Sequence, residues 1–162
     1  MLIQVQDINP STVERLFELY ADSMADLRNQ FPSSEEMKQA YTNFLVEFLA
    51  APNQMILVEE DGKEWVSGLR AIEIASGSWF IEAVETKPGK RHCGFGRKLL
   101  LETIVYLKNI GMHHITCQIA KNNIPSQCLH TSCGFISTFE PSVDPWGVTD
   151  EHTILYKYSL PG

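Results

Sequence analysis

A chain of 162 residues is the size of one domain, expected here to span 1–162, and can bury roughly two thirds of its unfolded surface without a metal or disulfide staple. Hydrophobic residues make up 44% and charged residues 20%, which excludes a disordered, collagen-like or bare coiled-coil chain. With 13 Lys and Arg against 20 Asp and Glu, the net charge of −7 speaks against a nucleic-acid partner, because phosphates are gripped by basic side chains.

The start, Met1 to Asp7, lacks the basic region and apolar core of a secretory leader, and no run approaches the roughly 20 apolar residues of a membrane span. A soluble, cytoplasmic protein with no membrane partner is expected. Leu2 to Ile8 alternates apolar and polar residues and suits a first strand, closed by Pro10-Ser11. Ser11 with Glu14 fits a capping box, and Val13, Leu16, Phe17, Tyr20 and Met24 recur at helical spacing. Ser33 with Glu36 repeats the capping pattern ahead of a second apolar stripe, Met37 to Leu49, that ends before Pro52.

Gln54 to Glu60 and Trp65 to Ile74 read as a hairpin about Asp61-Gly62, a pair that tolerates positive φ. A turn at Ser76-Gly77-Ser78 leads to a strand over Trp79 to Thr86, completing an antiparallel meander. Beyond Gly96, Leu99, Leu100, Thr103, Ile104 and Leu107 mark a helix ended by Gly111, and Ile115, Cys117 and Ile119 alternate on the next strand. Strand, glycine-rich turn, helix, strand is a parallel crossover unit. Pro125 opens a short helix to Ser132, Phe135 to Phe139 begins a strand, and Thr153 to Leu160 forms a last one. Glu140 to Glu151, with Pro141, Pro145 and Gly147, is expected to be an exposed acceptor-side loop.

Four cysteines, Cys93, Cys117, Cys128 and Cys133, form no C-x-x-C pair and suit reduced thiols. His92, His113, His114, Cys117 and His130 match no standard ligand spacing, so no metal site is expected. The informative stretch is Ile81 to Leu100. Gly94 and Gly96 stand between a strand and an apolar-striped helix, where bare backbone lets N–H groups converge on a phosphate at a helix N-terminus. Arg91 and Arg97 add cationic donors. Leu99 occupies the third-glycine position of a dinucleotide fingerprint, and no Gly-Lys-Ser/Thr follows Gly94 after four spacers. Both nucleotide motifs therefore fail.

Arg91-x-x-Gly94-x-Gly96 resembles the R/Q-x-x-G-x-G/A loop of the GCN5-related N-acetyltransferases (GNAT family), which in that family binds the pyrophosphate of acetyl-coenzyme A. Upstream, Ile81-Glu82-x-Val84-x-Thr86-x-Pro88-x-x-Arg91 is similar to the family's lead-in, with Thr86 where valine is usual. Downstream, Asn123 and Leu129-His130-Thr131-Ser132-Cys133-Gly134-Phe135 resemble the N-x-x-A-x-x-L-Y-x-x-x-G-F segment. The resemblance implies an α/β (α+β) fold, with a mixed, mostly antiparallel central sheet flanked by helices. Acetyl-CoA, the acyl-donor co-substrate, is then expected between Trp79–Thr86 and His114–Ala120. It also implies that the Val84 and Thr86 backbone pairs with pantetheine, that His92, Cys93, Gly94, Phe95, Gly96 and Arg97 hold the pyrophosphate, and that Asn123 contacts the pantetheine arm.

By the same resemblance the activity is N-acetyl transfer, in which a primary amine of a small molecule or peptide attacks the thioester directly. Glu82 shares one face with Val84 and Thr86 by the two-residue period and is the candidate base. His130 replaces the family's tyrosine acid, although burial would lower the protonated fraction of an imidazole. Asp22, Asp26, Glu85 and Asp144 would suit a cationic acceptor, and a homodimer through an edge strand is compatible with the pattern. The other functional class is a non-catalytic acyl-CoA-binding sensor or interaction module, motivated by His130 and Thr86.

Overall fold

The computed structural model describes residues 1–161. Chain order is β1 (Leu2–Val5), α1 (Pro10–Leu19), α2 (Ala21–Leu27), a short 3-10 turn over Arg28–Gln30, α3 (Ser34–Ala50), β2 (Gln54–Asp61), β3 (Glu64–Ala75) and β4 (Ser78–Thr86). It continues with α4 (Phe95–Asn109), β5 (His114–Ala120), α5 (Ile124–Ser132), β6 (Ile136–Ser137) and β7 (Thr153–Ser159). Seven strands form one sheet in the order β1-β2-β3-β4-β5-β7-β6. Every neighbouring pair is antiparallel except β4 and β5, joined in parallel through α4.

The helix starts follow local chemistry. Ser33 Oγ accepts from the Glu36 amide at 3.2 Å, as the capping pattern predicts. At α1 the cap is Asn9, whose side chain accepts from the Thr12 amide at 3.0 Å, in place of the expected Ser11. Pro10 decides this: its fixed φ and missing N–H suit the first helical position, so the helix begins there. The long first stripe is two helices, broken at Tyr20, where φ is −92° and ψ is 27°. In the β2–β3 hairpin Asp61 pairs with Glu64, so the turn residues are Gly62 and Lys63, with Gly62 at φ +63°. The strand expected over Phe135 to Phe139 shrinks to two residues at the sheet edge.

Each face of the sheet is covered by its own apolar cluster. Leu99, Leu100 and Leu107 of α4 pack with Leu57, Leu69, Ile81 and Ile115 on one face. Leu16, Leu19, Met37 and Leu45 of α1 and α3 pack with Ile56, Val58 and Phe80 on the other. Burying each such side chain contributes about 1.5–3 kcal/mol, and these two clusters hold β4 between them. β4 and β5 pair only from Ser78↔His114 to Phe80↔Thr116. Beyond Phe80 the ladder ends, and the sheet opens where β4 leads into the glycine turn.

Candidate active site

The opening is sharpened by a bulge in β4. Arg70 of β3 pairs with Glu82 and Gly68 pairs with Glu85, so Leu69 alone opposes both Ala83 and Val84. Ala83 takes φ +53°, a left-handed conformation that a side chain other than glycine's adopts at a cost. Tyr20, at the break between α1 and α2, donates its hydroxyl to the Ala83 carbonyl at 2.8 Å and fixes the distortion.

The extra residue reverses the alternation of the strand. Glu82 lies on the α1–α3 face with Phe80, where Arg70 Nη2 donates to its Oε2 at 2.8 Å. Val84 packs toward α4, and Thr86 Oγ1 lies 3.3 Å from where a Gly96 side chain would begin. The expectation that Glu82, Val84 and Thr86 share one face is therefore corrected: a period of two holds only for an unbroken ladder, and Ala83 breaks it. Glu85 now turns toward α2, where Ser23 donates its hydroxyl to Oε1. The other oxygen, Oε2, is buried without a partner. Burial raises the Glu85 carboxyl above the ordinary range, opposed by the Ser23 hydrogen bonds; Asp22 adds to the rise and Arg91 opposes it.

Two cavities meet at this bulge. On the α4 side a cleft of about 660 Å³ is lined by Val84, Thr86, Arg91, Gly94, Gly96 and Arg97, among others. The turn shapes it by several means. Gly94 caps α4 at φ +83°, without any side-chain hydrogen bond to the helix, and the Lys98 amide is the one that bonds back to the Gly94 carbonyl at 3.0 Å. The amides of Phe95, Gly96 and Arg97 thus begin the helix as free donors at its positive end. A Cβ at Gly96 would sit 3.3 Å from both Leu129 Cδ2 and Thr86 Oγ1, so glycine lets α4 and α5 close around the turn. His92 is held at φ +62°, and Arg91 is paired with Asp22.

The remaining predicted residues divide. Asn123 lines the cleft while its Oδ1 accepts from the Ser126 amide at 3.1 Å and caps α5. Cys93 is exposed, with Sγ 3.4 Å from the Arg91 carbonyl, and contributes nothing to the cleft lining. His130 also stands outside that lining. It is 2% exposed, its Nδ1 lies 2.8 Å from the Ser126 carbonyl, and its ring meets Phe135 edge-on at 5.2 Å. A carbonyl accepts only, so Nδ1 carries the proton and the unpartnered Nε2 is an acceptor. Burial also lowers the pKa of this ring, against the bond to Ser126.

On the α1–α3 side a second cavity of about 330 Å³ reaches the same bulge at Ala83, walled by α2, α3 and Arg70. Arg70 lies over the Phe44 ring at 4.8 Å. Sequence periodicity reads Tyr20, Met24, Met37 and Tyr41 as helix core, and only packing reveals that their tips enclose space. The Glu140–Glu151 loop lines neither cavity; Asp144 accepts there from the Trp146 and Val148 amides, both at 2.9 Å. No cluster of His, Cys, Asp and Glu suited to a metal occurs among the described residues. Nor is any helix among them long and apolar enough to cross a membrane.

A mixed sheet split beside a glycine-capped helix N-terminus defines an acyltransferase class of fold. Residues 14–135 match the family described as Acetyltransferase (GNAT) family, and the chain belongs to that family. It is similar in structure to an acetyltransferase from Streptococcus agalactiae 2603, with a TM-score of 0.74, 13% identity and coverage of 99% of this chain and 98% of that one. The PaiA N-acetyltransferase from Thermoplasma acidophilum, in complex with coenzyme A, gives a TM-score of 0.72 at 14% identity, covering 99% of both chains. A ribosomal-protein-alanine N-acetyltransferase from Brucella melitensis gives 0.71 at 19% identity, again over 99% of both. No curated protein sequence matches the chain. The chain is an N-acetyltransferase by family, and proteins of this fold use acyl-CoA.

Proposed function

We propose that the protein transfers an acetyl group from acetyl-CoA to a primary amine by direct attack, with the two substrates entering from opposite faces of β4. The observation that carries this reading is the bulge: the adjacent residues Ala83 and Val84 open onto two separate cavities. The cleft residues fit the donor. Free amides at the start of α4, with Arg91 and Arg97, suit a pyrophosphate, and the β4 edge exposed by the split suits the amide-bearing pantetheine arm. When bound, the thioester supplies the acyl group.

Glu85 is the proton acceptor in this reading. Glu82, the base expected from the sequence, is committed to Arg70 at 2.8 Å and positions that guanidinium. Glu85 lines the donor cleft, is bonded from Ser23 of the acceptor cavity, and keeps Oε2 free. Its raised pKa makes it a better proton acceptor than an ordinary carboxylate while it remains ionised. An incoming ammonium gives one proton to Glu85, which later releases it to water. The nitrogen then forms the C–N bond as the C–S bond breaks, and the second nitrogen proton goes to sulfur. No separate acid is needed, which agrees with a buried His130 that presents an acceptor nitrogen.

Thermal unfolding with and without acetyl-CoA, followed by thiol release with amines, tests the proposal. Binding to the native state at 100 times Kd should add about 2.7 kcal/mol of stability. Stabilisation with amine-dependent thiol release is the expected result. Stabilisation without release from any amine would instead favour a non-catalytic coenzyme-binding module.

A further inference from the structure

We infer that the acceptor amine is carried on an uncharged, apolar body of aromatic size and is not a polycation; this rests on the acyl-transfer reading above. The cavity on the α1–α3 side lies at the small end of ligand-sized pockets. Its walls include Met24, Leu27, Phe31, Met37 and Phe44, side chains that gain by covering apolar surface, with methionine adapting to its shape.

The charges decide against the cationic acceptor that the acidic composition suggests. Arg70 is the one charged residue lining the cavity among those described, and its guanidinium sits over Phe44 while bonded to Glu82. A polycation would have to shed water beside that guanidinium and find no carboxylate in the walls. Asp22 is paired with Arg91, and Asp144 is occupied by two loop amides. Neither Asp22, Asp26 nor Asp144 lines the cavity. Glu85 alone, reached through Ser23, is left to receive an ammonium, and one carboxylate serves one amine. The nitrogen therefore stands at the Ala83–Ser23 end, with the apolar body between α2 and α3. Two sources share this chemistry: a free arylalkylamine, and a peptide N-terminus whose first side chain is apolar.

The test presents phenethylamine, tryptamine, a peptide amide beginning with phenylalanine, spermidine and kanamycin to the protein with acetyl-CoA. Thiol release is measured for each, and phenethylamine binding is measured by calorimetry in the presence of coenzyme A. Turnover of the arylalkylamines, or of the phenylalanine peptide, above spermidine and kanamycin supports the inference and identifies the source. Ala40→Trp should fill the cavity and reduce kcat/KM for phenethylamine about 10–100-fold, the scale of one buried aromatic side chain, with the Kd for acetyl-CoA unchanged. Leu27→Asp, at a position 41% exposed and so tolerant of charge, should lower phenethylamine turnover and raise that of spermidine. Better turnover of spermidine or kanamycin by the unmodified protein overturns the substrate class. So does failure of the arylalkylamines and of the phenylalanine peptide alike to react while acetyl-CoA binds. Failure of acetyl-CoA itself to bind would instead overturn the acyl-transfer reading beneath.

Discussion

The two cavities that meet at β4 are built by opposite strategies. The cleft on the α4 side is largely the work of one continuous stretch, Val84 to Arg97, with Pro125, Ser126 and Leu129 added from α5 and Asn123 from its cap. Its lining carries the cationic side chains Lys90, Arg91 and Arg97, beside the free backbone amides where α4 begins. The cavity on the α1–α3 side draws on the α1–α2 junction, α2, α3, β3 and β4, and most of its lining is apolar side chain. A ligand common to a whole family can be bound by backbone geometry that a short motif encodes. An acceptor recognised by shape instead needs side chains brought together from distant parts of the chain. On the proposed reading, the difference explains why a coenzyme cleft is readable from glycines, whereas acceptor choice is not.

The largest effect separating the two regions should come from the carboxylate between them. Glu85→Gln is expected to reduce kcat by about 10²–10⁴-fold, the usual range for a positioned general base, with little change in the Kd for acetyl-CoA. A pH profile sharpens this. In the unmodified protein, turnover should fall as pH drops through the raised Glu85 pKa, because only the ionised form takes the proton; the variant should lack that limb. If Glu82→Gln removes it instead, the roles assigned to the two glutamates are reversed.

Next in size is the glycine cap. Gly94→Val places a β-branched side chain at φ +83°, a conformation costing about 1–2 kcal/mol for residues other than glycine. The helix start should shift, and acetyl-CoA affinity, measured by calorimetry, should fall about tenfold or more. Phenethylamine binding measured without coenzyme should be unchanged, since no wall of that cavity moves. Equal loss at both sites would show that the two regions are not independent.

Tyr20→Phe removes the hydroxyl that holds the bulge and should cost about 1–3 kcal/mol of stability by leaving the Ala83 carbonyl unpaired. Because the bulge serves both cavities, KM should rise for donor and acceptor together. His130→Gln is expected to have the smallest effect on turnover. Its consequence is one of stability: a histidine with a lowered folded pKa binds fewer protons than its unfolded counterpart. The unmodified protein therefore loses stability as pH falls from about 6.5, the unfolded value, through the lowered folded pKa. Denaturant unfolding across that range should show a shallower acid-side loss in the variant. A large fall in kcat with stability intact would return His130 to the chemistry.

Much of the fold was legible because it rests on local rules. The apolar period of Leu99, Leu100, Ile104 and Leu107 places α4 under the sheet, and Gly111, at φ +99°, follows its end. Ser33 caps α3 as its spacing predicts. Sequence also brought Arg91, Gly94, Gly96 and Asn123 to one cleft, because the glycine turn and the Asn-capped α5 are both local structures. The bulge had no such signal. Alanine at position 83 gives no hint of a positive φ; the conformation is held by Tyr20, 63 positions away. Without the bulge the alternation rule put Glu82 beside Val84 and left Glu85 among the merely acidic residues.

The amino-acid sequence by itself determined the order of elements, the family and the glycine turn that caps α4, because each depends on residues a few positions apart. Only the tertiary structure decided which glutamate faces the junction, which nitrogen of His130 holds the proton, and how little charge the cavity on the α1–α3 side contains. Those properties depend on strand parity across an irregularity, on burial, and on which ions find partners. None exists until distant segments pack against β4.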